Sequence, residues 1–154
     1  DAHLAARPYL FGARPSFGDF GLWGQIYEAW TDPTAGALVE GLGHNVLAWI
    51  HRMLWPKAEG AFEDWSVLEP TLLPFLKQNA GRLFAPWTLA NAAAVAAGSE
   101  EFTVDLDGHA WTQKPQKYHA KSLQALRTKY DAVADKTALD AVLDRAGCLA
   151  AMRG

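Results

Sequence analysis

A single cysteine, Cys148, among 154 residues leaves nothing for an internal disulfide to pair with, and points to a reducing compartment, the cytoplasm. No run approaches the roughly 18 uninterrupted apolar residues of a membrane-spanning helix. The richest one, Ala90 to Ala97, is short and mostly alanine. The start, Asp1-Ala2-His3-Leu4, lacks both an initiator Met and the basic end and apolar stretch of a signal peptide. It reads as an entry in mid-helix, the mark of a fragment or of a chain whose upstream part is absent. A net charge of −3 argues against general nucleic-acid binding. Nucleophile elbow, phosphate loop, zinc pair and Cys–His arrangement are all missing, so no catalytic residue is assigned. His44 and His51 stand two helical turns apart, too far for one metal, and no metal site is assigned either. There are no internal repeats and no low-complexity linker.

The length is about that of one domain. Half the residues are hydrophobic and 20% are charged, as in ordinary globular domains. Seven Trp is a high density. They serve as large core fillers in a small helical domain, or some of them line a ligand cavity.

Helix signals dominate. A short amphipathic piece from His3 to Leu10 ends at Gly12. Ser16 and Asp19 then form a capping box, the hydroxyl bonding the first free N–H groups and the carboxylate reaching back. Behind it Phe17, Phe20, Trp23, Tyr27 and Trp30 mark an apolar face. Gly18, Gly21 and Gly24 recur every three residues, each costing about 1 kcal/mol in a helix interior. A bare ridge that lets another helix approach would account for them. Asp32-Pro33 opens a second helix running to about Leu54, with Leu38, Leu42, Val46, Trp49 and Met53 inward.

After a loop over 56–66, Ser66 and Glu69 predict a third helix, bent at Pro74. A fourth runs from Pro86 to Gly98. Asn91 within it is expected to satisfy a neighbouring backbone group. The period then changes to two. Asp107-Gly108 is a two-residue hairpin turn that pairs Leu106 with His109, Val104 with Trp111 and Phe102 with Gln113. Phe102, Val104, Leu106 and Trp111 share the face expected to lie on helix. Tyr118, Ser122, Leu126, Tyr130 and Val133 make one more helical stripe. Thr137 and Asp140 form a last capping box, with Gly147 as the stop.

The segment Tyr9-Leu10-Phe11-Gly12, Pro15-Ser16, Asp19-Phe20, followed by Asn45, Trp49 and Arg52, resembles the glutathione transferase C-terminal domain. That family carries a Tyr-Leu-x-Gly turn, a Ser/Thr-x-x-Asp cap and an Asn/Pro-x-x-x-Trp pattern with a following Arg. The match covers roughly residues 3–56. Phe84 to Trp87, Ala90 to Ala92 and Gln116 to Lys121 resemble the extended tail of some bacterial transferase-like proteins. Gly18 departs from the family, which tends to have Ala there.

The resemblance implies an all-α helical bundle, to which the residue pattern adds one small β-hairpin at about 102–113. Residues 1–98 would form the core, and 99–154 a hairpin and two-helix extension packed on the same domain. It implies an electrophile-side domain whose candidate apolar cleft is lined by Trp23, Tyr27, Trp30 and Trp49. Glutathione would be a cosubstrate of the full-length protein only, with no cofactor for this chain. The thioredoxin-like N-terminal domain that holds glutathione would be the missing partner, and the isolated chain inactive. With the family's dimer helices also missing, a monomer or a non-standard homodimer is expected, through a surface around Leu4, Tyr9, Phe11 and the glycine ridge.

Lys114, Lys117, Lys121, Arg127 and Lys129 fall in a stretch without a single acid. Lys117, Lys121 and His119 are candidates for an anion pocket, or part of a solvated face. Two other functions therefore stand beside the transferase reading: a non-catalytic protein-interaction module, and small-anion binding through Lys117 and Lys121.

Overall fold

The computed structural model describes residues 1–154 and is mostly α-helical with one small antiparallel hairpin. Its contacts divide the chain into two compact units, Asp1–Leu72 and Leu73–Gly154. The boundary expected near residue 98 lies inside the second of these.

In the first unit a 3-10 turn, Ala2–Ala5, precedes α1 (Phe17–Thr31), α2 (Pro33–Leu42), α3 (His44–Leu54) and the larger part of α4 (Trp65–Phe75), whose last three residues fall in the second. The amphipathic piece expected over His3–Leu10 is therefore helical only at its start. Beyond it the chain turns at Tyr9–Gly12, and Gly12 bridges to Phe62. Gly12 sits at φ 129°, where an added Cβ would lie 2.8 Å from Ala61 O and Glu63 N; only glycine fits there.

α1 begins as its sequence demands, with the Ser16–Asp19 box formed. Pro33 occupies the first turn of α2, and Asp32 Oδ1 accepts from the N–H groups of Thr34 and Ala35, both at 2.9 Å. The single helix expected from Pro33 to Leu54 is broken at Gly43. There the backbone leaves helical geometry (φ −122°, ψ 50°), and α3 starts afresh. Two glycines, Gly41 and Gly43, weaken the helix at this point. Gly43 also offers no side-chain cap for α3. Asp1 supplies one from outside: its carboxylate accepts from Asn45 N at 2.8 Å, Val46 N at 3.2 Å and Asn45 Nδ2 at 2.8 Å.

The core of this unit is Tyr9, Trp49, Ile50 and Met53, packed by Leu4, Leu22, Trp23, Ile26, Tyr27, Trp30, Val39 and Val46. Several assigned faces are corrected by it. Phe17 (82% exposed) and Phe20 leave the α1 stripe, and Leu22 and Ile26 join it. Leu38 and Leu42 (77% exposed) point outward, while Val39 packs inward. Once α2 and α3 are separate helices, each sets its own inward face. The glycine ridge meets no helix: nothing lies within 4 Å of a Cβ built at Gly21 or Gly24, and Gly18 faces Phe11 at 3.1 Å. Tyr9 belongs to the core, and Leu4 and Phe11 are half-buried.

α4 starts at Trp65, so Ser66 lies within its first turn and not at its cap. The bend expected at Pro74 takes another form. The helix passes Pro74 and then widens into a π-helical stretch, Leu76–Phe84.

In the second unit α5 (Ala85–Ala97) follows, with Pro86 in its first turn and Gly98 ending it in the left-handed region. β1 (Phe102–Leu106) and β2 (His109–Gln113) pair in the expected register, Leu106 with His109, Val104 with Trp111, Phe102 with Gln113. Asp107 (φ 61°) and Gly108 (φ 80°) make the turn, which Asp105 braces by accepting from Gly108 N at 3.0 Å. Phe102, Val104 and Leu106 are half-buried and β1 packs on α5, whereas Trp111 is 53% exposed. The helix thus covers β1 and leaves β2 open.

α6 (Lys117–Asp131), α7 (Thr137–Arg145) and α8 (Leu149–Arg153) complete the chain. The core here is Ala85, Leu123, Tyr130, Ala151 and Met152. α6 buries Tyr130 of the assigned stripe together with Leu123, whereas Tyr118 is 83% exposed, and Ser122 and Leu126 are exposed too. Leu123 and Tyr130 stand seven residues apart, two turns along one face, whereas the steps of four from Tyr118 to Leu126 drift off it. The box expected at Thr137 and Asp140 does not form. Lys136 stands at the cap without a side-chain bond, Asp135 accepts from Thr137 N at 2.9 Å, and Asp140 is drawn to Tyr130 and Arg153. Gly147 ends this helix at φ 73°, as expected.

Candidate functional site

Asp19 is the polar centre of the first unit. It is 0% exposed, and four donors converge on it. Oδ1 accepts from Leu10 N at 2.8 Å and from Trp49 Nε1 at 3.0 Å. Oδ2 accepts from Ser16 N at 2.8 Å and from Ser16 Oγ at 2.6 Å. Asp19 N donates back to Ser16 Oγ at 3.2 Å. One side chain thereby joins the Tyr9–Gly12 turn, the start of α1 and the indole on α3. Tyr9 OH accepts from Lys57 N at 2.8 Å, and Arg52 Nη1 donates to Pro8 O at 3.0 Å, fastening the same turn to the far end of α3.

The candidate aromatic residues fall into two kinds. Trp49, 1% exposed, is a core residue with its N–H committed to Asp19. Trp23, Tyr27 and Trp30 are half-buried along α1. Trp23 and Tyr27 have ring centroids 4.8 Å apart, and Tyr27 meets Trp30 edge-on at 5.8 Å. The row ends on His51, whose ring lies 5.3 Å from Trp30. Trp23 Nε1 donates to Ile50 O at 3.1 Å. With both indole N–H groups of Trp23 and Trp49 spent on the protein, this row offers ring faces and edges but no polar handle from those two residues.

Lys117, Lys121 and His119 are all exposed on α6, in the second unit. His119 stacks edge-on against Trp87 at 5.1 Å. Around them lies a cluster that no sequence spacing announces. Gln113 Oε1 accepts from Trp111 Nε1 at 2.7 Å and from Trp87 Nε1 at 3.1 Å. Asn91, 0% exposed, fixes the entrance of α6 through both ends of its amide: Gln116 N donates to its Oδ1 at 2.7 Å, and its Nδ2 donates to Gln116 O at 3.0 Å. This is the backbone-satisfying role expected of it. Thr88, also 0% exposed and one turn earlier on α5, has no partner for its hydroxyl.

One further group has no signal in the sequence. Arg7 is nearly buried and donates from Nε to Glu63 Oε2 at 3.0 Å and from Nη1 to His3 O at 2.5 Å. The His3 ring bonds Thr71 Oγ1 at 2.6 Å and Leu10 O at 2.7 Å. These residues lie up to 68 positions apart, so no periodicity could have linked them. Cys148, the lone cysteine, has a thiol that burial pushes up, away from the thiolate a nucleophile needs. His, Cys, Asp and Glu form no group of three able to hold a metal. No helix is long and apolar enough to cross a membrane.

The chain matches no protein-family profile, no curated protein and no solved structure.

Proposed function

We propose that the chain is the electrophile-side helical domain of a glutathione-transferase-type protein working in a reducing, cytoplasmic setting. It contributes apolar aromatic surface and no reacting group of its own. The observation that carries this reading is the convergence on Asp19. The landmarks of the resemblance are far apart in sequence: the Tyr9–Gly12 turn, the Ser16–Asp19 cap and Trp49. One carboxylate bonds all of them. Trp23, Tyr27 and Trp30 are then the residues offered to an apolar electrophile, and glutathione is a cosubstrate only of the complete protein.

The test is conjugation of glutathione to an aryl halide, run in parallel on the product of the complete gene and on this chain. Turnover by the first and none by the second is expected. Turnover by this chain that is lost on mutating one of its own residues would overturn the reading. So would a complete gene product that binds no glutathione. In that event a non-catalytic interaction module becomes the better account, favoured by the large exposed side chains Phe17, Leu42, Trp55 and Tyr118.

A further inference from the structure

β2 has β1 along one edge and no strand along the other. In a two-residue hairpin the residues flanking the turn form a hydrogen-bonded pair, and bonded and non-bonded pairs alternate from there. Leu106–His109, Val104–Trp111 and Phe102–Gln113 are thus the bonded pairs. The N–H and C=O groups of Ala110 and Thr112 therefore point away from β1. No backbone bond to another part of the chain engages them. Four of the five β2 residues are exposed, Trp111 among them.

Natural sheet edges are guarded by charge, proline, a bulge or a covering segment. This one carries none of them. His-Ala-Trp-Thr-Gln has no Lys, Arg, Asp, Glu or Pro, and its register is unbroken.

We propose that the free edge of β2 pairs antiparallel with the same edge of a second copy, about a two-fold axis at Trp111. Ala110 then exchanges both backbone bonds with Thr112 of the partner subunit, and Thr112 does so with the partner's Ala110. Trp111 meets the partner's Trp111 as a narrow, non-hydrogen-bonded pair, the position where cross-strand side chains come closest. The exposed indoles cover each other there. The same register carries Lys114 to the partner's Gly108, beside the carboxylate of Asp105; Asp107 in the same turn is already paired with Arg82. Symmetry makes that contact twice, and no like charges face each other along the strands. This self-complementarity of backbone, aromatic and charge selects a second copy over an unrelated peptide. The paired area is small, so the association is weak and concentration-dependent. The inference does not rest on the proposed function.

Sedimentation equilibrium on the full chain tests it. The weight-average mass is expected to climb with concentration from 16.8 kDa towards twice that value. Ala110→Pro deletes an outward N–H and leaves the bonds to β1 in place, and should weaken self-association about tenfold or more. Two double variants examine the register. Ala110→Glu with Thr112→Lys sets opposite charges across the two-fold and should tighten the dimer. Ala110→Lys with Thr112→Lys sets like charges there and should abolish it. Far-UV circular dichroism confirms that each variant folds. A mass that stays at the monomer value up to the solubility limit would overturn the proposal. Self-association that responds equally to the two double variants, or to neither, would do the same.

Discussion

Asp19 in the first unit and the pair Asn91 and Asp140 in the second solve one problem differently. Each unit must tie elements distant in sequence through polar groups. The first concentrates the task in one fully buried carboxylate, with four donors and no Lys or Arg among them. The second divides it. A buried amide, Asn91, holds the entrance of α6, and a more accessible carboxylate, Asp140, joins α6, α7 and α8. Asp140 accepts from Tyr130 OH at 2.7 Å and from Arg153 Nη2 at 2.7 Å. The difference lies in how failure spreads. Removing Asp19 strands several donors at once in a dry interior, where each unpaired group costs its full desolvation. Removing Asp140 leaves an exposed guanidinium, Arg153, and a single hydroxyl, that of Tyr130, so fewer groups are stranded.

Breaking the first hub should have the largest effect. Asp19→Ala is expected to cost about 3 kcal/mol or more, since it orphans the Trp49 indole and two backbone N–H groups together. Urea unfolding followed by tryptophan fluorescence measures it. A loss under about 1 kcal/mol would mean that water replaces the carboxylate and that the two hubs are not distinct in kind.

Asn91→Ala comes next, at about 2 kcal/mol, because both ends of its amide serve the Gln116 backbone. Amide exchange should quicken at the start of α6 while α1 to α3 keep their protection. Equal quickening in α1 would show that the units do not fail separately.

Ser16→Ala sharpens the contrast within the first hub. It removes the hydroxyl and leaves Asp19 bonded to Leu10 N, Ser16 N and Trp49 Nε1, so it should cost only about 1 kcal/mol. A loss as large as that of Asp19→Ala would place the energy in the cap and not in the convergence.

The smallest effect is one of pH. The Tyr130 hydroxyl, and after it the Arg153 guanidinium, hold the Asp140 carboxyl below its ordinary value. A carboxyl depressed in the folded state adds stability that is fully present above its unfolded pKa, about 3.9. That stability drains away as pH falls from there through the lower folded value. Asp107, held down by Arg82, and Asp135, held down by Thr137, act in the same direction. Asp140→Asn should therefore flatten only part of the acid loss of stability, as read from melting temperatures at descending pH. An unchanged acid profile would remove Asp140 as a contributor.

How far these hubs could be read beforehand depends on the range of their bonds. Ser16-x-x-Asp19 was legible because a capping box closes within one turn, and the same holds for Asp32-Pro33 opening α2. Thr137-x-x-Asp140 has the same spacing and did not close. Tyr130 and Arg153, ten and thirteen residues from Asp140, compete for its carboxylate, and Asp135 takes the Thr137 N–H. The indole of Trp49 on Asp19 and the amide of Asn91 on Gln116 span 30 and 25 residues. The sequence points to Asn91 as a backbone partner, but nothing in the spacing names Gln116. Of the candidate site residues, Trp23, Tyr27 and Trp30 do form one row, since they share a face of α1. Trp49 is spent in the core.

Local chemistry alone determined that this chain is helical, where α1 and α2 begin, where α5 and α7 stop, and the register of the hairpin. Each of those choices is settled by a few consecutive residues: a cap, a proline, a glycine at positive φ, a two-residue turn. Which face each helix buries was decided only by tertiary structure. Phe17 gives way to Leu22, Leu42 to Val39 and Tyr118 to Leu123, because these helices carry apolar residues on more than one face and the neighbouring element selects among them. Tertiary structure likewise placed Asp1 at the start of α3, where Gly43 offers no side chain, and left Trp111 in solvent where only β1 is covered. A bond between distant residues depends on the whole path of the chain between them, and no spacing rule carries that path.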